Sequence, residues 1–100
     1  MLVVKRKGSR KRKSKLYEAF EFTFGGSLSD LANFLGDLGE ISRGQNSILI
    51  DIYTWIDLKD GRRICPGQYL VKDWREEVLS FDPTIFYDWF ELFIINGPKS

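Results

Sequence analysis

Turn signals cut the chain between Ile48 and Phe81 into short pieces. Asp60-Gly61 is a strong hairpin signal, Pro66-Gly67 marks a second turn, and Asp73–Glu76 a third. The runs between them are Ile48–Leu58, Arg62–Cys65, Tyr69–Lys72 and Glu77–Phe81, rich in β-branched and aromatic residues. Strands separated by so few residues pair antiparallel, because a parallel pair needs a crossover of a dozen residues or more. In Ile48–Leu58 the apolar parity is Ile48, Ile50, Ile52, Ile56 and Leu58, which predicts one long strand with that face turned inward.

Upstream, Leu16–Phe24 alternates, with Phe20, Phe22 and Phe24 on the face expected to pack inward. Gly25-Gly26 breaks that strand. Ser27 followed by Asp30 is a variant capping box, and Leu28, Leu31, Phe34, Leu35 and Leu38 recur at helical spacing. The spacing predicts a helix over 28–37, ended by Gly36 or Gly39, and a polar loop over 39–46. Asp82-Pro83 opens a second helix, with an acidic cap and proline at the first position. It is expected to run to about Ile94, with Ile85, Phe86, Trp89, Phe90 and Phe93 as its core stripe. The reading is an α+β domain over 16–96 in the order arm-β-α-β-β-β-β-α: a small antiparallel sheet with two helices packed on one face. No apolar run approaches the roughly 20 residues of a membrane span.

Charge is strongly segregated. Residues 1–15 hold Lys5, Arg6, Lys7, Arg10, Lys11, Arg12, Lys13 and Lys15 and no acid. The other 85 residues hold seven basic and fourteen acidic side chains, so a +8 segment precedes a −7 body within a net charge of +1. Like-charge repulsion, with Gly8, Ser9 and Ser14 interspersed, predicts a flexible basic arm over 1–15. Its eight cations suit nucleic-acid phosphates, and an extended arm of this length reaches about 50 Å. Such contacts carry little sequence information, and with no aromatics interleaved the arm itself implies no base stacking. The anionic body suits a cationic protein surface.

Catalytic equipment is sparse. The chain has no histidine and one cysteine, Cys65. That removes the commonest general base and any ordinary zinc site, so neither metal nor cofactor is expected. A single cysteine makes no internal disulfide, which fits a reducing cytoplasm. Cys65 is expected to be a semi-buried structural residue. Glu76-Glu77 and Asp57/Asp60 fall at predicted turns, where solvated surface charge is the ordinary role. The aromatics of the C-terminal half exceed what one small core needs. A minority of them, Trp74, Tyr87 or Trp89, is expected to be exposed as a protein-binding patch.

The stretch from Gly67-Gln68-Tyr69-Leu70-Val71-Lys72 through Phe81-Asp82-Pro83-Thr84-Ile85-Phe86 to Phe90-Glu91 resembles the end of a family of small phage and prophage proteins. Their pattern runs Gly-Asp-Tyr-Ile-Ile-Lys-Gly, a short turn, Gly-Glu-Phe-Tyr, Lys-Pro-Asp-Ile-Phe and a final aromatic-Glu. Tyr17-Glu18-Ala19-Phe20 and the Leu31–Asp37 stretch are similar to the family's first strand and helix. Gln68, Asp73 and Glu76 depart from the family's Asp, Gly and Gly, and the basic arm lies outside its pattern. The resemblance implies a phage or prophage accessory protein in the bacterial cytoplasm, without a general activity to transfer.

These readings point to a non-enzymatic binding protein, monomer or homodimer, that engages a host or phage nucleoprotein. An inhibitor of host defence, anti-CRISPR-like included, is one form of it. The alternatives are a nucleic-acid-binding accessory protein acting through the arm, and an assembly protein that oligomerises through its C-terminal helix.

Overall fold

The structure, a computed structural model, describes residues 2–7, 16–43, 48–73 and 75–92. It is α+β, with a five-stranded and a three-stranded antiparallel sheet. The elements are β1 (Leu2–Arg6), β2 (Leu16–Phe22), α1 (Leu28–Leu35), a 3₁₀ turn (Gly36–Leu38), β3 (Gly39–Ser42), β4 (Trp55–Leu58), β5 (Arg63–Ile64), β6 (Gln68–Lys72), β7 (Val78–Phe81), α2 (Pro83–Trp89) and β8 (Phe90–Leu92). The large sheet runs β7-β6-β2-β1-β8 and the small one β3-β4-β5.

β2 is central and buries residues on both faces. Phe20 and Phe22 join Leu70 and Val78 beneath α1 and the small sheet. They meet Leu28, Leu31, Phe34 and Leu35 of the helix and Ile56, Leu58 and Ile64 of β4 and β5. Ala19 faces the other way, with Val4, Tyr69, Val71, Phe86 and Phe90. The two helices therefore cover opposite faces of the large sheet, not one face as the strand order suggests. Phe24 lies beyond the end of β2 and is exposed, so the inward parity ends at Phe22.

α1 begins and ends where its sequence dictates. The Ser27 side chain accepts the Asp30 amide at 3.2 Å, and Gly36 closes the helix at φ +56°. That φ lies in the region that glycine enters without a Cβ penalty. Gly39 then lets β3 approach β4, since a Cβ there would sit 2.8 Å from the Asp57 carbonyl. The segment 39–42 is thus a strand where a loop is expected; Gly44–Ser47 lie outside the described residues.

The long strand expected over Ile48–Leu58 is broken. The Asp51 carboxylate accepts the Tyr53 amide at 2.9 Å and the Thr54 hydroxyl at 3.2 Å, while Thr54 Oγ1 accepts the Asp51 amide at 3.0 Å. This local side-chain bonding competes with ladder pairing. Only Trp55–Leu58 forms regular strand, and Ile48 and Ile52 are exposed.

α2 is shorter than its spacing predicts. Pro83 opens it, but the Asp82 side chain makes no capping bond. The helix stops at Trp89 because Phe90–Leu92 pair with β1, Arg6 opposite Phe90 and Val4 opposite Leu92. Of the expected core stripe, Phe86 and Phe90 are buried, Ile85 and Trp89 are exposed, and Phe93 lies outside the described residues. Phe86 stacks on Tyr69 at 4.2 Å between ring centroids.

The β6–β7 turn carries two testable features. Glu76 adopts φ +63°. A side chain there carries a left-handed penalty of roughly 1 kcal/mol. Glu76→Gly is therefore expected to raise stability slightly, by about 0.5 kcal/mol after the extra chain entropy of glycine. The urea midpoint at unchanged slope reads it.

In the same turn, burial acts to raise the Asp73 pKa. Amide bonds from Glu77 at 2.9 Å and Arg75 at 2.8 Å, with the Arg75 guanidinium, outweigh it and hold the carboxyl below its ordinary range. A depressed folded pKa contributes stability that is complete above the unfolded value of about 3.9 and is lost as pH falls through the folded value. Asp73→Asn is expected to flatten that acid limb. Urea midpoints taken from about pH 7 down to about pH 2 measure it.

Candidate binding surface

Residues 2–7 of the expected arm are not free. Leu2–Arg6 pair with β2 on one side and β8 on the other, and Val4 is buried. The hydrophobic triplet Leu2-Val3-Val4 supplies the driving force. Of the charges that follow, Lys5 pairs with Glu91 of β8 at 3.4 Å. Lys5 stands opposite Leu16 in the β1–β2 ladder. Arg10, Lys11, Arg12, Lys13 and Lys15, between β1 and β2 in the sequence, lie outside the described residues.

The structure brings Arg6 and Lys7 to Trp89, a residue 83 positions from Arg6 in sequence. The Arg6 guanidinium stands 5.0 Å from the Trp89 ring centroid, a cation–π contact, and the Lys7 amide donates to the Trp89 carbonyl at 2.8 Å. The indole also contacts Phe81, with ring centroids 5.8 Å apart. Trp89 is exposed, as are Arg6 and Lys7. The expected basic and aromatic features thus meet at the β1 end of the large sheet. Nothing in the linear sequence signals this junction unless β1 is first recognised as a strand.

Tyr87 is exposed but belongs to a different side of α2, because residues two apart on a helix diverge by about 200°. Its hydroxyl shares a 2.5 Å hydrogen bond with that of Tyr69. Burial first, then the Tyr87 bond and the charge of Glu21, push the Tyr69 pKa above the ordinary phenol range. Trp74 lies outside the described residues.

Two other carboxylates are tied into local pairs. Hydrogen bonding from Arg63, at 2.7 Å, holds Asp57 below the ordinary carboxylate range; Arg63 also lies 4.9 Å over the Trp55 ring. The Arg62 amide and guanidinium do the same for Asp60. A general acid at neutral pH needs the opposite shift. A cleft of about 500 Å³ is lined by Asp37, Glu40, Asp57 and Lys59. Cys65 is exposed, contrary to the semi-buried expectation, because it follows the two-residue strand β5 into the Pro66-Gly67 turn. Among the described residues no three His, Cys, Asp or Glu side chains converge as a metal site, and no helix is long and apolar enough to cross a membrane.

Comparison of the chain with protein-family models, curated proteins and solved structures found no match.

Proposed function

We propose that this chain is a non-enzymatic binding protein whose basic end takes the phosphates of a nucleic acid held within a nucleoprotein. The observation that carries the reading is the junction of Arg6 and Lys7 with Trp89. In the sequence, residues 8–15 add five further cations and no acid. Phosphate contacts by Lys and Arg position a protein on nucleic acid, and an exposed indole beside them adds a contact to base or sugar. The body, net −7, repels nucleic acid and suits a cationic protein surface. In the phage setting that the sequence resemblance implies, occupation of a host nucleoprotein in the bacterial cytoplasm would inhibit it. An anti-CRISPR-like role is one form of that.

The test combines a salt titration with affinity capture from bacterial lysate. Binding to duplex DNA is expected to fall with a log–log slope of about −5 to −7, the signature of six to eight phosphate contacts. The full chain is expected to retain a protein after nuclease treatment. Capture of nucleic acid alone would leave a plain nucleic-acid-binding accessory protein. No binding to any polyanion at low salt would end the reading.

A further inference from the structure

Duplex nucleic acid is read by a helix or a two-stranded ribbon laid in a groove. Among the described residues, the elements able to do so carry the wrong charge. α1 and α2 contain no lysine or arginine, and each holds an aspartate, Asp30 and Asp88. In the β4–β5 hairpin Arg62 and Arg63 are paired with Asp60 at 2.8 Å and Asp57 at 2.7 Å. The β6–β7 turn sets Asp73, Glu76 and Glu77 against Arg75. A duplex pressed against any of these meets carboxylates.

The basic end is built differently. Arg6 shares the parity of the buried Val4 in β1, so its side chain lies on the face covered by α2. There the guanidinium stands over the indole of Trp89, the last residue of α2, at 5.0 Å from the ring centroid. Trp89 is 47% exposed, and Arg6 is exposed as well. Two contacts fix the indole in place. Its ring meets Phe81 at 5.8 Å, tilted by 51°, and its carbonyl accepts the Lys7 amide at 2.8 Å. A flat cation and a flat ring are thus held together, partly open to solvent, with a second exposed cation next in the chain.

Nucleobases stack on aromatic rings and on guanidinium planes. A base inside a duplex has both faces covered by its neighbours, whereas a base in a single strand offers them. The strand backbone is also flexible enough to bring a phosphate to Lys7 while its base rests on the pair. We propose that Arg6 and Trp89 form a base-stacking site for single-stranded nucleic acid, with Lys7 as its phosphate contact. The inference rests on the function proposed above, in which the basic end takes phosphates, and it names the class of strand taken. Charge alone favours the duplex, which carries more phosphates per unit length. A preference for single strands therefore has to come from the bases.

The test measures binding of the full chain to three probes of about 15 nucleotides in about 0.1 M salt. They are a deoxythymidine single strand, a strand of abasic sites with the same phosphates, and a duplex of mixed sequence. The thymidine strand is expected to bind about tenfold or more tighter than the abasic strand, and tighter than the duplex. Trp89→Leu keeps an apolar contact for Phe81 and is expected to bring the thymidine strand to within about threefold of the abasic one. Binding of the abasic strand should not change. Trp89→Phe restores a ring and is expected to recover part of the preference. Arg6→Lys keeps the charge, loses the flat plane, and should lower the preference about threefold. Equal binding of thymidine and abasic strands overturns the proposal and leaves the phosphate reading standing. Tighter binding of the duplex overturns it too, as does a preference that survives Trp89→Leu. Binding to none of the three probes ends the proposed function itself. The comparison of probes on the parent chain needs no variant, so a Trp89→Leu chain that fails to fold does not shelter the proposal.

Discussion

Phe34→Ala is expected to cost about 4 kcal/mol, a large share of the roughly 5–15 kcal/mol that holds a domain of this kind. Phe34 is wholly buried where α1, the large sheet and the small sheet meet. Its ring lies 5.7 Å from that of Phe20. Above it the Lys72 ammonium stands 4.8 Å from the ring centroid, donates to the Phe34 carbonyl at 2.7 Å and pairs with Glu18 at 3.2 Å. These bonds hold the end of the helix on β6, so collapse into the cavity is hindered and the cost falls in the upper part of the range. Urea unfolding at constant slope measures it. Phe24→Ala is the control. The same side chain at an exposed site is expected to change stability of the dilute chain by no more than about 0.5 kcal/mol. Equal losses at the two positions would contradict the burial assigned to them.

That pair also shows what the alternation of Leu16–Phe24 conveyed. Periodicity identified the strand and the inward direction of Phe20 and Phe22, but it could not see that the other face is buried too. Ala19 is a small residue between Tyr17 and Glu21 on its face of the strand, and its burial follows from the arrival of α2 over that face. Elements whose signals were local were legible: the Ser27 cap, the α1 spacing, and the turns before and after β6. Elements whose stability comes from distant partners were not. β3 is a four-residue strand that pairs with β4, and β8 interrupts a helical pattern because β1 offers it a ladder. In Ile48–Leu58 the strand propensity was real, but Asp51 and Thr54 satisfied the backbone locally and turned the chain.

The candidate surface was legible in its parts and illegible in its assembly. Eight cations, and an exposed aromatic among Trp74, Tyr87 and Trp89, are legible in the sequence, yet the meeting of Arg6 and Lys7 with Trp89 depends on β1, which charge density conceals. Lys5, Arg6 and Lys7 sit at the end of a strand whose apolar start is only three residues long. Across residues 1–15 the density of charge masks the strand pattern of 2–6. The physical balance runs the other way, because burial of Val4 and pairing on both sides of β1 exceed the repulsion of cations that project into solvent.

The same balance sets the second large effect. Deletion of residues 1–15 is expected to unfold the domain or leave it a loosened remnant, rather than trim a tail. It removes Val4 and Leu2 from the core that holds Tyr17, Phe86 and Phe90, and it strips pairing partners from both β2 and β8. Burial of two aliphatic side chains and the ladder bonds on two edges amount to on the order of 5 kcal/mol. Replacing Arg10, Lys11, Arg12 and Lys13 by serine is expected to do the reverse. It leaves β1 in place, keeps the thermal midpoint within about 2–4 °C, and lowers the magnitude of the salt slope for nucleic acid by about 3 to 4. Circular dichroism on melting and a salt titration of binding read the two variants side by side. Loss of binding on deletion alone says nothing about phosphate contacts, because the fold goes with it. If the deletion melts like the parent, β1 contributes no stability. If the serine variant keeps its full salt slope, those four cations are not the ones that meet phosphate.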